Sequence, residues 1–555
     1  MNKKFLILGI VFSTLIMITS CVKDLNVTPI DPSTIMAGNV SNNPVYLAEA
    51  LGKVYASFII NGQGSAAAGN PDISASDNDF FTTGRALWNL QELPTDEAIC
   101  AWGDVGIADM NTQTWSPTNP FLTALYQRLS LSVTYANNLI GMTNGNSNAT
   151  IARYNAEARF LRALAYYWAM DLFGNPPFTT EADGVGKYFP KQIARADLFK
   201  YIESELLDVQ TKLGAPGFSY PAADQACAWM LLARMYLNAK VYTGTARWAD
   251  CKTYCDKVIN SGVYSLNPNF RHNFTADNDF RANKEMIFSW ALDGVNTQGS
   301  VGSTFVIQSC SDGNYIDAKL LGLPGNPNWN GNRGKRQFAE MLLDTMTTGN
   351  TIASYDKNFS TCSDTRVANL IMQKKSFDIP SPSSSGDYGI GVRKFTNLNA
   401  DGTQAADYNP TFASTDFPVF RLSEAYLMRA EADYNGASGG SAEAVSDINK
   451  VRERAFQETT GGAHDITTAE LDAQKTSDGN SLYFLWERGR ELYYESLRRT
   501  DLIRLGQFAK GTYLWQWKGG VYTGANIGTD GHLDLYPIPA AEVSANPNIK
   551  QNPGY

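Results

Sequence analysis

Residues Ser481–Phe508 read SLYFLWERGRELYYESLRRTDLIRLGQF. In the first half Leu482, Leu485, Leu492 and Tyr493 fall near helical spacing, with Glu487, Arg488, Arg490 and Glu491 crowding the turns between them. The second half repeats the habit, with Arg498, Arg499, Asp501 and Arg504 alternating with Leu497, Leu502, Ile503 and Leu505. The spacing predicts two helices that pack apolar faces together and pair their charges at the seam, a well-solvated hairpin stopped at Gly506.

Working outward, the helical plan recurs. A first amphipathic segment covers 44–60, and a second covers 120–140 with Leu122, Leu125, Leu129 and Val133 on one face. The pattern is strongest over 151–173, where Ala158, Leu161, Ala165, Trp168 and Leu172 form a stripe that Asn175-Pro176-Pro177 ends. Segments 197–213, 223–239, 248–259, 423–434 and 442–456 follow the same rule. The expected pairs are 44–60 with 120–140, 151–173 with 197–213, 223–239 with 248–259, and 423–434 with 442–456. Small residues inside the stripes, as in the Ala163/Tyr166 and Ala233/Tyr236 steps, let helices approach closely. This is tetratricopeptide-like packing, a plain helical bundle being the alternative.

Two intervals break the rhythm. From 262 to 420 the chain is rich in Gly, Asn, Ser and Pro, with runs such as GLPGNPNWNGNRG and IPSPSSSGDYG, and 61–116 has the same character. Short strands are expected near 285–291 and 391–395. Long irregular insertions on a rigid scaffold are where binding surfaces are commonly built.

With 555 residues, 43% hydrophobic and 18% charged, the chain can bury a large core. Its formal net charge of -9 argues against a polyphosphate partner, so no nucleic acid is expected. Aromatic residues at 12% exceed what a core alone needs and suit recognition surfaces. Lys3 and Lys4 precede an apolar run from Phe5 to Ile18 that reads as a signal peptide over 1–20. It ends Ile18-Thr19-Ser20-Cys21, similar to a bacterial lipobox, which makes Cys21 the lipidated residue and 21–41 a tether to a single domain over 42–555. The other cysteines are scattered. Cys251 and Cys255, at helical i,i+4 spacing and without flanking histidines, read as one packed face and not as a bridge or zinc site. With only His272, His464 and His532 present, a histidine-centred catalytic site has little support.

Several fragments carry a family resemblance: Ser481–Phe508 itself, Glu92-Leu-Pro-Thr-Asp-Glu-Ala98 followed by Ala101-Trp102, Tyr513-Leu-Trp-Gln-Trp-Lys-Gly-Gly520, Tyr536-Pro-Ile-Pro539 and Gln551-Asn-Pro-Gly-Tyr555. Together they resemble the SusD/RagB family of outer-membrane nutrient-binding lipoproteins, and within it the starch-binding type. The resemblance implies a mainly α fold of about four tetratricopeptide-like helix pairs packed with a large irregular loop-rich lobe. It also implies a lipid-anchored protein on the outer face of the outer membrane, with a SusC-type TonB-dependent transporter as partner and a glycan as ligand. No enzyme activity and no required cofactor are implied.

At the level of residues, the resemblance assigns glycan binding to Arg85, Trp102 and Trp329. Indole faces stack on sugar C–H faces, and a guanidinium fork can reach hydroxyls. Where the family's aromatic arc has a tyrosine this chain has Ser300, and near the family's asparagine it offers Asp104 or Val105. Asp279 and Asp416 match acidic ligands of a structural calcium, with Ser414 standing where the family has another aspartate. The other functions left open are capture of peptides or another nutrient, a glycoside hydrolase, which would need two facing carboxylates, and a protein-protein scaffold.

Overall fold

The computed structural model describes residues 41–62, 71–73, 82–184, 188–279, 283–299, 302–325, 328–344, 359, 362–528 and 530–555. The leader 1–20, Cys21 and Ser300 lie outside these residues. Residues 1–48 and residues 49–555 cluster as two compact units, the first described only over 41–48, where helix α1 (Pro44–Ile59) begins.

Within the larger unit come α2 (Thr83–Glu92), α3 (Pro120–Thr143) and α4 (Ala149–Phe173). Pro120 opens α3, and the Asn119 side chain caps it by accepting from the Phe121 N–H at 3.0 Å. Asn148 caps α4 through the N–H groups of Thr150 and Ile151. The short loop between the two helices folds α4 back along α3, where Ala158, Leu161, Ala165, Trp168 and Leu172 are all buried. Each fully buried Leu of that stripe contributes on the order of 1.5–3 kcal/mol relative to exposure.

The expected pairing of 44–60 with 120–140 is therefore corrected. Helix α3 packs chiefly on α4 and α2, while α1 meets the array through scattered contacts, among them Ser57 with Ser132 at 2.8 Å, Tyr55 with Glu157 at 2.8 Å and the Phe58 ring against Trp168. The loop length decided this, since five residues suffice to return the chain onto its predecessor.

Helices α5 (Arg195–Val209), α6 (Gln225–Leu237) and α7 (Trp248–Asn260) continue the array. α5 packs on α4, and α7 packs on α6. Cys251 and Cys255 are buried in α7, with the Cys251 thiol directed at the Met428 carbonyl, so the packed-face reading holds. The irregular interval follows. Its strands β2 (Met286–Trp290), β3 (Asn332–Gly334), β4 (Ile371–Gln373), β5 (Ile390–Val392) and β6 (Phe417–Arg421) form two small sheets. One is the pair β2-β6; the other runs β1-β3-β5-β4, with β1 (Ala98–Cys100) recruited from the earlier loop. Helix α8 (Gly302–Cys310) lies in the same lobe, entirely buried.

After the lobe, α9 (Leu422–Tyr434) packs on α7 as well as on α10 (Gly440–Phe456), so the helical array closes across the whole insertion. The opening stretch forms α11 (Tyr483–Leu492) and α12 (Arg498–Arg504), broken by positive φ at Tyr494 and Ser496. Its charges are not solvated. Glu487, Arg488, Arg490, Glu491, Arg498, Arg499, Asp501 and Arg504 are all buried. Glu487 accepts from Arg366 at 2.6 Å and from Arg452 at 2.9 Å. Glu491 accepts from Arg421 at 3.0 Å, and Asp501 from Arg488 at 2.8 Å and Arg504 at 2.7 Å. Charges do pair at the seam, Arg488 with Asp501, but the solvated expectation fails because further partners from α9, α10 and the irregular lobe cover the stretch. A periodicity argument within one segment does not see them.

The same network absorbs the Glu92–Ala98 fragment. Glu92 accepts the Ser496 N–H at 2.7 Å, Glu97 the Tyr494 N–H at 3.0 Å, and Asp96 pairs with Arg498 at 2.7 Å. These carboxylates satisfy the two backbone amides of the strained turn between α11 and α12, so that motif is a structural keystone.

Candidate functional site

Strand register builds the site. Antiparallel pairing of β1 with β3 sets Ala98 against Gly334 and Cys100 against Asn332. The Ala101 N–H donates to the Gly331 carbonyl at 2.9 Å, so the pairing runs one step past the strands and carries Trp102 across from Asn330. Trp102 Nε1–H then donates to the Trp329 carbonyl at 2.8 Å. The two indoles lie 6.1 Å apart with their planes at 62°. From the other side the end of α8 holds the segment, the Gln308 and Ser309 carbonyls accepting from the N–H groups of Trp329 (3.2 Å) and Gly331 (3.0 Å). A Cβ at residue 331 would overlap the Trp102 indole, so glycine is what lets the ring lie on the backbone there.

Arg85 enters from the first turn of α2, where the Thr82 hydroxyl caps the helix by accepting the Arg85 N–H at 3.3 Å. Its guanidinium carbon sits 5.3 Å from the ring centres of both Trp102 and Phe305 and 5.8 Å from that of Phe121. Its Nη2 reaches Asp104 Oδ2 at 3.3 Å; the Arg85 side chain is 1% exposed and that of Asp104 is 52% exposed. Arg85 is thus a brace beneath the face, while Trp102 and Trp329 are half-buried and Asp104 and Val105 form the exposed rim. Arg85, Trp102 and Trp329, far apart in sequence, meet in one cluster. Phe121 and Phe305, which complete it, went unnamed in the sequence because an apolar residue on a buried helix carries no mark of where it points. Three clefts of about 140, 430 and 720 Å³ on the helical array are lined by none of these residues.

The acidic pair lies elsewhere in the lobe. Asp416 is buried, its Oδ1 accepting the Leu292 N–H at 2.7 Å and its Oδ2 the Tyr220 hydroxyl. Asn278 brackets its backbone with bonds of 3.0 and 2.9 Å. Burial, partly offset by the bonds from Tyr220 and Leu292 and reinforced by the charges of Asp279 and Asp407, pushes the Asp416 carboxyl up to about 7. Ser414 is tied to Asn397 and Asp407 by hydrogen bonds. Like-charged carboxylates on separate loops suit a hard cation chemically. Among the described residues no group of three or more acidic, His or Cys side chains is placed to hold a metal ion, so calcium would complete its six to eight oxygens from backbone carbonyls and water.

The chain belongs to the SusD family, whose structures share its fold of a helical array joined to a loop-built lobe. The family's model matches residues 326–555. One relative is the Starch-binding protein SusD of Bacteroides thetaiotaomicron, 32% identical over 573 residues, covering 97% of this chain and 96% of that one. Among solved structures, a SusD superfamily protein from Bacteroides vulgatus matches with a TM-score of 0.66 at 18% identity, over 92% of this chain and 99% of its own. Surface glycan-binding protein A from Bacteroides thetaiotaomicron, solved with laminarihexaose, matches with a TM-score of 0.64 at 18% identity, over 92% of this chain and 99% of its own. These two structural matches bear on the fold. Among the described residues no helix is long and apolar enough to cross a membrane.

Proposed function

We propose that this chain is a non-enzymatic glycan-binding surface protein that captures an α-glucan of the starch type on the Trp102/Trp329 face. The observation that carries this reading is the convergence of Arg85, Trp102 and Trp329 with both tryptophans only partly buried. Each indole can stack on the C–H face of one sugar ring. A 62° angle between the platforms suits a curved chain, whose successive rings turn, better than a flat ribbon that would favour coplanar faces. The identity to a starch-binding relative over nearly the full length points the same way.

In this reading Cys21 carries the lipid anchor at the outer membrane, and a SusC-type TonB-dependent transporter receives the glycan. Asp279 and Asp416 hold a structural calcium that stiffens the lobe and takes no part in binding sugar. The experiment is a panel of soluble polysaccharides in affinity gels, including starch and laminarin, with peptides as the competing ligand class. Retardation by starch is the expected result. Retardation by laminarin alone would change the ligand, and peptide binding without glycan binding would overturn the reading. Loss of membrane-fraction retention in Cys21→Ala tests the anchor.

A further inference from the structure

Asp104 is an exposed charged group at the rim of the face. It stands two residues after Trp102, and its Oδ2 is committed to the buried Arg85 guanidinium at 3.3 Å. Among the described residues its Oδ1 accepts no hydrogen bond. The side chain is about half exposed beside the indoles, whereas the arginine below it is sealed by Trp102, Phe121 and Phe305. A second guanidinium, that of Arg333 on β3, is fully buried and held by the carbonyls of Gly331 (3.3 Å) and Pro382 (3.2 Å). Among the described residues, the Asp104 carboxylate stands at the rim of the face with the buried Arg85 guanidinium behind it.

We infer that Asp104 is a specificity-determining residue that restricts this face to neutral glycans. The inference rests on the proposed glycan site and names the residue that excludes charged glycans from it. Two physical effects act together. A carboxylate held by an arginine keeps its free oxygen aimed outward as an acceptor for sugar hydroxyls, the strongest acceptor type available to a side chain. Its negative charge also lies where a uronate carboxylate or a sulfate ester would have to sit, and like charges without an intervening cation repel. Without that charge the Arg85 guanidinium behind it would attract the same anions. Discrimination then comes from a repulsive element at the rim, not from the stacking platforms, which accept any sugar ring with an open C–H face.

The test uses a matched pair of ligands, a soluble α-glucan and its lightly carboxymethylated derivative, which share backbone and curvature. Affinities are measured for the wild type, Asp104→Asn and Asp104→Glu at low and at physiological salt. The wild type is expected to prefer the neutral glucan, with the preference shrinking as salt rises. In Asp104→Asn the preference should fall by about fivefold or more, the scale of one partly exposed charge interaction. Asp104→Glu, which keeps the charge, should retain it. Neutral-glucan binding with equal discrimination in the wild type and Asp104→Asn would overturn the inference and leave the site standing. If the wild type binds neither glucan, the site itself is refuted and the inference falls with it. The salt series on the wild type needs no variant, and a preference indifferent to salt would also count against it.

Discussion

Trp102 donates its indole N–H to the backbone carbonyl of Trp329 at 2.8 Å, across 227 residues of sequence. The bond consumes the only polar atom of the Trp102 side chain and fixes the ring edge, so what remains for a ligand is an apolar face. Both rings are held by backbone geometry, through the β1-β3 register and the end of α8. Such preorganisation lowers the entropic cost of stacking a sugar.

Gly331→Ala tests that backbone geometry. The added methyl would overlap the Trp102 indole, whose N–H is already committed to the Trp329 carbonyl, so the ring would have to move. Overpacking of this kind costs about 1–3 kcal/mol. The expected outcome in thermal melts is a loss of several degrees, accompanied by loss of glycan binding in affinity gels. An unchanged melting temperature with full binding would show that the ring is not pinned there.

The buried ion pairs make a pH prediction. Burial alone would raise the Asp501 carboxyl, but Arg488 and Arg504 together hold it down to about 2. Its folded value lies below the ordinary carboxylate value, so its stabilisation is present above about pH 4 and is lost as pH falls through about 2. The contribution is on the order of 2 kcal/mol. Urea unfolding between pH 5 and pH 2 should show stability falling with acid. The fall should be shallower in Asp501→Asn, a variant that at neutral pH is itself less stable by about 3–5 kcal/mol because it strands buried guanidiniums. Parallel pH slopes in the two proteins would contradict the assignment.

The acid limb depends on the stretch where sequence and structure part most. Helical spacing over 481–508 placed α11 and α12 correctly, because Leu482, Leu485, Leu492 and Leu502 follow the helical period whatever surrounds them. The fate of Glu487 and Glu491 was not legible, since their partners Arg366, Arg421 and Arg452 lie up to 121 residues away. The helix pairs after 151 were readable from stripes of small and large apolar residues, and the first pair was not, because a loop length outweighed a stripe. At the candidate site, the motif resemblance named Trp102, Trp329 and Arg85, which the fold brings together. It could not tell that Arg85 would be a buried brace and Asp104 the exposed group, because burial is decided by Phe121 and Phe305 from two other helices.

Calcium addition gives a separate outcome. If Asp279 and Asp416 ligate the ion, then calcium at about a hundred times its dissociation constant should add on the order of 2.7 kcal/mol of stability. That gain would raise the melting temperature of the wild type and leave Asp416→Asn unmoved. No shift in the wild type, after exhaustive chelation and calcium readdition, would remove the ion from the account.

The most direct test of the binding face is to measure glucan affinity and melting temperature together on Trp102→Ala and Trp329→Ala. Half-exposed platforms predict affinity weaker by about 1–3 kcal/mol in each variant, with the melting temperature changed little. Full glucan affinity in both variants would contradict the account. So would a stability loss of about 3–5 kcal/mol that accounts for all the lost binding, because that is the signature of tryptophans serving the core.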